Sequence, residues 1–338
     1  MAVMKAVELT GIGFGHVKIG QMPKPKPKAG EVLVRMRAAS LNYRDLLMVQ
    51  GVYSRRKVIP IVPLSDGAGA VEAVGEGVTQ FQPGDRVIGS FFQDWIAGPP
   101  RDEKFSGSLA ADLPGVLSEY RCFPEHGLVR TPDYLSDEAA ATLPCAALTA
   151  WSALVAQSRT APGDTVLIQG TGGVALFALQ FAKLCGAQVI VTSSSDEKLE
   201  RAGALGADHV LNYRKTPEWG KAAMALNGGR GVDHIIELGG AATLAQSLRT
   251  VRAGGTISMI GVLSGPTQEL LIPLIVTRNL RLQGITVGSR EWLADMVQAM
   301  ALHRVMPVID RAFEMAEIHD AYNHMAAGGH FGKIVIRI

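Results

Sequence analysis

Three closely spaced glycines pose the first chemical question. Gly170-Thr171-Gly172-Gly173-Val174-Ala175 follows the apolar run Val166-Leu167-Ile168 and leads into a stretch, 174–184, that is apolar nearly all round. A second apolar run, 189–192, comes next. Strand, glycine turn, helix and strand in that order match the dinucleotide fingerprint, in which alanine can stand for the last glycine. Glycine lets the backbone approach a pyrophosphate, and the first N–H groups of the helix, with its positive dipole end, attract the charge. Gly170, Thr171, Gly172, Gly173 and Val174 are therefore candidate cofactor contacts.

The end of the second strand selects the dinucleotide. An acidic residue there accepts the ribose 2′-hydroxyl of NAD and repels a 2′-phosphate. Here the strand runs out through Thr192-Ser193-Ser194-Ser195. Ser193 stands where the acid is expected, and Lys198 follows within reach. Hydroxyls and a cation suit a phosphate, so the reading is NADPH ahead of NAD(H), with an inward-pointing Asp196 reversing it. Ser194-x-x-Glu197 is also the spacing of a capping box, which needs no ligand.

Such a turn needs a parallel sheet to hold it, and from Val166 onward strand and helix alternate. Strands are expected from 166 and 189 and over 209–213, 234–238, 256–260 and 280–287, with helices over 197–204, 217–226 and 241–251. The stretch 263–278 separates the last two strands. Repeated units of this kind build an α/β, doubly wound parallel sheet. Ahead of it, 4–9, 32–38, 67–78 and 86–89 read as short strands of a small barrel, with Pro83-Gly84-Asp85 as a turn. A surface lobe is expected over 91–118. Ser136 should start a helix that Pro144 stops, followed by a second helix over 146–157. Helices over 292–303 and 318–327 and a strand over 333–338 complete the chain.

The composition narrows the function. The chain has 338 residues, room for two domains of about 100 to 200 residues each. Its 33 Lys and Arg against 31 Asp and Glu give a net charge of +2, with no basic block to hold a nucleic acid. No apolar run nears the roughly 18 residues of a membrane helix, and no signal-peptide core opens the chain. Cys122, Cys145 and Cys185 give no disulfide framework. These features predict a cytoplasmic protein acting on a small molecule, with neither a nucleic-acid nor a membrane partner.

Three further segments carry a family resemblance. Residues Ala38-Ala39-Ser40-Leu41-Asn42-Tyr43-Arg44-Asp45, Leu64-Ser65-Asp66-Gly67-Ala68-Gly69 and Leu143-Pro144-Cys145-Ala146-Ala147-Leu148-Thr149-Ala150-Trp151 resemble the metal-bearing segments of zinc alcohol dehydrogenases. The whole chain resembles the medium-chain dehydrogenase/reductase superfamily, in its zinc-independent, quinone-oxidoreductase-like branch. The resemblance implies a GroES-like β-barrel catalytic domain over 1–125, to which 290–338 return, and a Rossmann domain over 126–289. It also implies a dismantled metal site. Asn42 stands for the first cysteine, Ser65 for the histidine and Asp66 for the glutamate, leaving Cys145 alone. Zinc requires about three N, S or carboxylate ligands, so no metal is expected, and Cys145 reads as a buried apolar side chain at a helix start.

The same resemblance assigns cofactor contacts. Ser194, Lys198 and Tyr213 match positions near the 2′-phosphate, and Thr149 matches a contact to the nicotinamide amide. Gly261, Val262 and Leu263 after the fifth strand, and Val287, Gly288 and Ser289 after the sixth, match ring-side contacts. Lys333 matches a late contact from the tail. Family members pair through the last strand, which implies a homodimer.

Without zinc, a simple alcohol has no metal to stabilise its alkoxide, whereas a conjugated acceptor takes hydride and spreads the charge to an oxygen that hydrogen bonds can hold. The expected activity is NADPH-dependent reduction of a quinone or α,β-unsaturated carbonyl. Asn42 would hold the oxygen, and Tyr43 and Asp66 would line the site. Arg44 and Asp45 read as a surface ion pair. A zinc-free alcohol or aldehyde dehydrogenase and a non-catalytic NADPH-binding scaffold are the alternatives. Phe91, Phe92 and Trp95 either wall the substrate cleft or pack the lobe.

Overall fold

Short runs that alternate apolar with polar residues, broken by glycine and proline, give the first part of the chain its strands. The computed structural model describes residues 2–52, 59–265 and 267–338. Pro266, inside the expected 263–278 connection, lies outside the described residues. In chain order the strands are β1 (Val3–Leu9), β2 (Val17–Pro23), β3 (Glu31–Leu41), β4 (Asp66–Val74), β5 (Arg86–Gly89), β6 (Tyr120–Pro124) and β7 (Leu128–Arg130). Then come β8 (Thr165–Gln169), β9 (Gln188–Ser193), β10 (His209–Asn212), β11 (Val232–Glu237), β12 (Val251–Met259), β13 (Arg281–Gly284), β14 (Ile309–Glu314) and β15 (Lys333–Arg337).

The chain divides into two units, Met1–Leu148 with Val287–Ile338, and Thr149–Thr286. These limits differ from the expected cut at 125/126 because β7 hydrogen-bonds to β5, Val87 opposite Arg130, and so holds the following segment in the first unit. In that unit the main sheet runs β14-β15-β3-β4-β5-β7, with β6 also on β3, while β1 and β2 form a separate antiparallel pair. The tail returns by pairing β15 antiparallel to β3, Ile334 opposite Leu41. That register brings Lys333 to the end of β3 where Asn42 begins. Gly69 in β4 is a packing requirement, since a Cβ there would lie 2.2 Å from the Arg35 carbonyl oxygen. Buried Val34, Leu41, Leu64, Phe123 and Ile334 belong to this unit's core.

The second unit is a six-stranded parallel sheet of order β10-β9-β8-β11-β12-β13, as the repeated strand–helix pattern predicts. Strand order reverses between β8 and β11, the position at which such sheets bind ligands beyond their carboxyl ends. Leu167, Ile190, Ile235 and Ile257 bury its middle. The last strand is shorter than the expected 280–287, because β12 pairs only as far as Met259 opposite Gly284.

Two further expectations are corrected. Pro144 does not stop a helix. Helical residues continue from Asp137 to Gln157, with wide turns over Leu143–Ala147 and Ser152–Gln157. Proline near the start of a wide turn leaves no helical hydrogen bond unmade. This 21-residue run is apolar enough in length and composition to cross a bilayer, but 78% of its most apolar window is buried in the protein. The 91–118 lobe is no loose surface feature either. Phe91, Phe92 and Trp95 are buried, and Trp95 packs edge-on against Phe105 and Trp292 at 5.5 Å. The rings pack the lobe down.

Candidate active site

Asn42 ends β3 and caps the helix Tyr43–Val49. Its backbone N–H donates to the Asp45 carboxylate at 2.8 Å, a spacing of three residues that joins the strand end to the helix start. Leu64 sits at φ 65°, an uncommon conformation for a branched side chain, and delivers Ser65 and Asp66 into the same interior. The Ser65 hydroxyl donates to Asp66 at 2.7 Å. The wide turn at Pro144 presents the Cys145 N–H to the other Asp66 oxygen at 2.9 Å. Both oxygens of Asp66 are thereby engaged.

Lys333 completes the group. Its Nζ donates to the Leu41 carbonyl at 2.6 Å and to the Asn42 side-chain oxygen at 2.7 Å. Lys333 is only 3% exposed, against 8% for Asn42 and 0% for Asp66. Because Oδ1 of Asn42 faces an ammonium, which can only donate, the amide orientation is fixed. Nδ2 is the donor that remains. It lies near enough to Asp66 to help hold that carboxyl down, yet lacks the geometry of a hydrogen bond to any described residue.

Charge balance explains how this group stays buried. Burial drives the Asp66 carboxyl up, and the Lys333 charge and the Ser65 hydroxyl oppose it. Burial drives Asp45 up to about 6, opposed first by Arg44. Lys333 is driven down by burial and held up by Asp66. Two carboxyls and two cations offset one another, the condition for charge away from water. Arg44 and Asp45, expected on the surface, form a buried pair at 3.6 Å, with Arg44 stacked over Phe91. The Asn42-x-x-Asp45 spacing signals the helix start but not the burial of the pair.

The structure thus brings Asn42, Asp66 and Lys333 together, with Ser65, Asp45 and Cys145. Tyr43 is not in the group, being the first helical residue and 44% exposed. Cys145 is half-buried, its thiol pushed far above its ordinary range by desolvation and then by Asp66. These donors do not fit a zinc ion. The thiol resists ionisation, Asn42 and Asp66 already have partners, and the Lys333 ammonium already takes the Asn42 oxygen. Among the described residues no group of three or more His, Cys, Asp or Glu gathers to hold a metal.

In the second unit the glycine turn suits a dinucleotide. Gly170 has φ 80°, which favours glycine, and a Cβ at Gly170 or Gly172 would meet open space, so the turn leaves room for a ligand. The helix Gly173–Leu184 follows directly. Tyr213 donates its N–H to the Ser193 carbonyl at 3.1 Å, setting the ends of β9 and β10 side by side. The helix cap is Ser195, not Ser194: the Lys198 N–H donates to the Ser195 hydroxyl at 3.3 Å. Asp196 turns to the surface, where Asn212 donates to it at 2.8 Å and Lys215 pairs with it. Thr149 is buried, while Val262 and Leu263 are exposed after β12.

In the first unit, Val287 is buried at φ 48° and the Ser289 hydroxyl caps the helix Arg290–His303. Sequence reasoning missed Glu237 at the end of β11. Its buried carboxylate accepts from Gln169 at 2.7 Å, from the N–H groups of Gly239 and Gly240, and from Thr243 and Ser247. A strand-end acid before Gly-Gly was its only trace in the sequence.

A parallel sheet with a glycine turn after its first strand is joined in one chain to a β domain that carries a buried polar group at a strand end, the architecture of an oxidoreductase class that the chain's relatives share. Residues 173–302 match a family model described as zinc-binding dehydrogenase, and residues 28–133 match one described as alcohol dehydrogenase GroES-like domain. The chain belongs to the medium-chain dehydrogenase/reductase superfamily. It is similar to a zinc-type alcohol dehydrogenase-like protein of Schizosaccharomyces pombe, 44% identical over 96% of each chain. An acryloyl-coenzyme A reductase of Metallosphaera sedula is 32% identical over 98% of this chain and 99% of its own. The solved structure of a putative alcohol dehydrogenase from Sinorhizobium meliloti superposes with TM-score 0.94 at 44% identity, covering all of both chains. A mycobacterial protein complexed with NADPH superposes with TM-score 0.84 at 27% identity, covering 99% of this chain and all of that one.

Proposed function

We propose that the protein is a zinc-independent, NADPH-dependent reductase of quinones or α,β-unsaturated carbonyls. The observation that carries this reading is the buried Lys333–Asn42–Asp66 group, which offers a fixed amide donor and a fixed cation and no metal ligand set. Bound NADPH supplies a hydride. Asn42 would donate its Nδ2–H to the acceptor's carbonyl oxygen, where the electron pair arrives as hydride adds to the conjugated carbon. Asp66 would hold Lys333 charged, and water would return the proton. Acryloyl thioesters are α,β-unsaturated carbonyls, so the similarity to an acryloyl-coenzyme A reductase supports this acceptor class.

Residues 170–174, Ser193, Ser194, Lys198 and Tyr213 would hold the dinucleotide. Asp196 faces Lys215 and Asn212, which leaves the β9 end without an acid directed at a ribose and supports NADPH over NADH. The similar protein complexed with NADPH supports it too. Fluorescence titration of the chelator-treated protein should give tighter binding of NADPH than NADH. Lys198→Ala should cut that preference about 10- to 100-fold, the value of one charge-assisted contact. Turnover with a quinone or enal, and not with a secondary alcohol and NADP⁺, is the expected result. The reverse pattern would establish the dehydrogenase reading that the alcohol dehydrogenase-like relatives favour. Binding without any turnover would establish a scaffold.

The reading includes a homodimer. β13 is a terminal strand of its sheet, and Leu271, Ile272 and Val276 nearby are exposed apolar side chains that pairing would cover. Sedimentation as a monomer at micromolar concentration would remove it.

A further inference from the structure

We infer that the Lys333 ammonium is the resident cation of this site: it fills the position that a metal ion would need and, through Asn42, orients the donor that meets the acceptor oxygen. The inference rests on the reductase reading for its catalytic half and on geometry alone for the other. Lys333 bonds to the first of the three segments that resemble metal-bearing ones and lies near enough to the other two to feel Asp66 and Cys145. It bonds the Asn42 side chain at 2.7 Å and the Leu41 carbonyl at 2.6 Å, and it senses the charges of Asp66 and Cys145. A divalent ion placed among Asn42, Asp66 and Cys145 would meet a like charge already seated there. The ammonium has three protons and the described acceptors take two, so it is well coordinated without being saturated.

The consequence for Asn42 is geometric. An unrestrained amide presents either its oxygen or its nitrogen to a ligand. With Oδ1 held by Lys333, Nδ2 is the donor left over; it is buried near Asp66 and, among the described residues, has no partner at hydrogen-bond geometry. Lys333 is thus a positioning residue that also keeps a positive charge beside the oxygen on which negative charge develops. β15 fixes it there, because Ile334 pairs with Leu41 and the preceding residue must lie against the start of the next segment.

Two independent measurements test this. The first needs no turnover. Asn42→Cys with Ser65→His supplies thiolate and imidazole beside Cys145 and should bind Co²⁺ weakly while Lys333 remains. Adding Lys333→Met should tighten binding at least about 100-fold and bring up the visible absorption of thiolate-bound Co²⁺. Equal affinity with and without Lys333 would overturn the claim that the ammonium fills the metal's position. The second is kinetic. Lys333→Met should lower kcat for a quinone or enal about 10²-fold, with the NADPH dissociation constant within about threefold. Ethylammonium should restore part of the rate to Lys333→Ala and leave the wild type unchanged. Because removing one buried charge can unfold the unit, Lys333→Met with Asp66→Asn removes both. That variant should melt like the wild type and remain slow. A kcat within threefold of wild type in folded Lys333→Met would refute the positioning role. Failure of the wild type to reduce any quinone or enal would refute the reductase reading alone, since the cobalt titration stands without it.

Discussion

Asn42→Ala is expected to lower kcat for a quinone or enal about 10²- to 10³-fold while NADPH affinity changes less than about threefold. That is the usual effect of deleting one donor aimed at a developing oxyanion in a site shielded from water. Such a donor acts mainly when charge has moved onto the oxygen, so kcat should bear the loss and KM should move little. The substitution also removes a helix cap residue, at a cost of about 1 kcal/mol. The cap is partly preserved, because the bond from the residue 42 backbone N–H to Asp45 does not involve the side chain. Asn42→Leu, which keeps the bulk and removes both polar atoms, should match the alanine variant in rate. Stopped-flow traces of NADPH oxidation separate the hydride step from product release. A hydride step within threefold of wild type in both variants would remove Asn42 from the mechanism.

Glu237→Ala is expected to unfold the dinucleotide unit more easily by about 3 to 5 kcal/mol, the range for breaking a buried, charged hydrogen-bond network. The carboxylate at the end of β11 is the common acceptor for Gln169, Gly239, Gly240, Thr243 and Ser247. Its removal strands the Gly240 N–H and the Ser247 hydroxyl, and leaves Gln169, Gly239 and Thr243 with one acceptor each in place of two. Gln169 in turn accepts from the N–H groups of Leu238 and Gly239 at 3.1 and 2.9 Å, so the ends of β8 and β11 loosen together. The glycine turn begins one residue later, at Gly170, and NADPH affinity should fall with stability. Differential scanning fluorimetry should show a drop of roughly 10 °C. Glu237→Gln should fall between, as its carbonyl accepts while its NH₂ group faces other donors. A shift under 2 °C for the alanine variant would show that the network relaxes onto other partners.

Local signals carried much of the fold. The Gly170–Ala175 turn is legible because the strand before and the helix after it are both neighbours in sequence. The parallel sheet follows from six strands with helices of ordinary length between most of them. The short strands ahead of β8 are legible for the same reason, though their pairing is not. Errors fall at element ends and where a distant partner decides. Ser195 takes the cap expected of Ser194 by a one-residue choice of where β9 ends. Pro144 was expected to end a helix, and it instead sits in a wide turn whose freed Cys145 N–H reaches Asp66, 79 residues away. Arg44 and Asp45 look like surface charge in any local window, but Leu109 and Phe91 of the lobe cover Arg44.

By itself, then, the sequence marked the glycine turn and the three segments that resemble metal-bearing ones, because residue type and short spacing are enough to pick out both. Tertiary structure alone decided which side chains meet at the end of β3. Lys333 and Asn42 are 291 positions apart, and only the antiparallel seam of β15 on β3 brings the ammonium to the amide. Strand register is a long-range property, fixed by burying Ile334 and Leu41 in one core, and no local pattern encodes it.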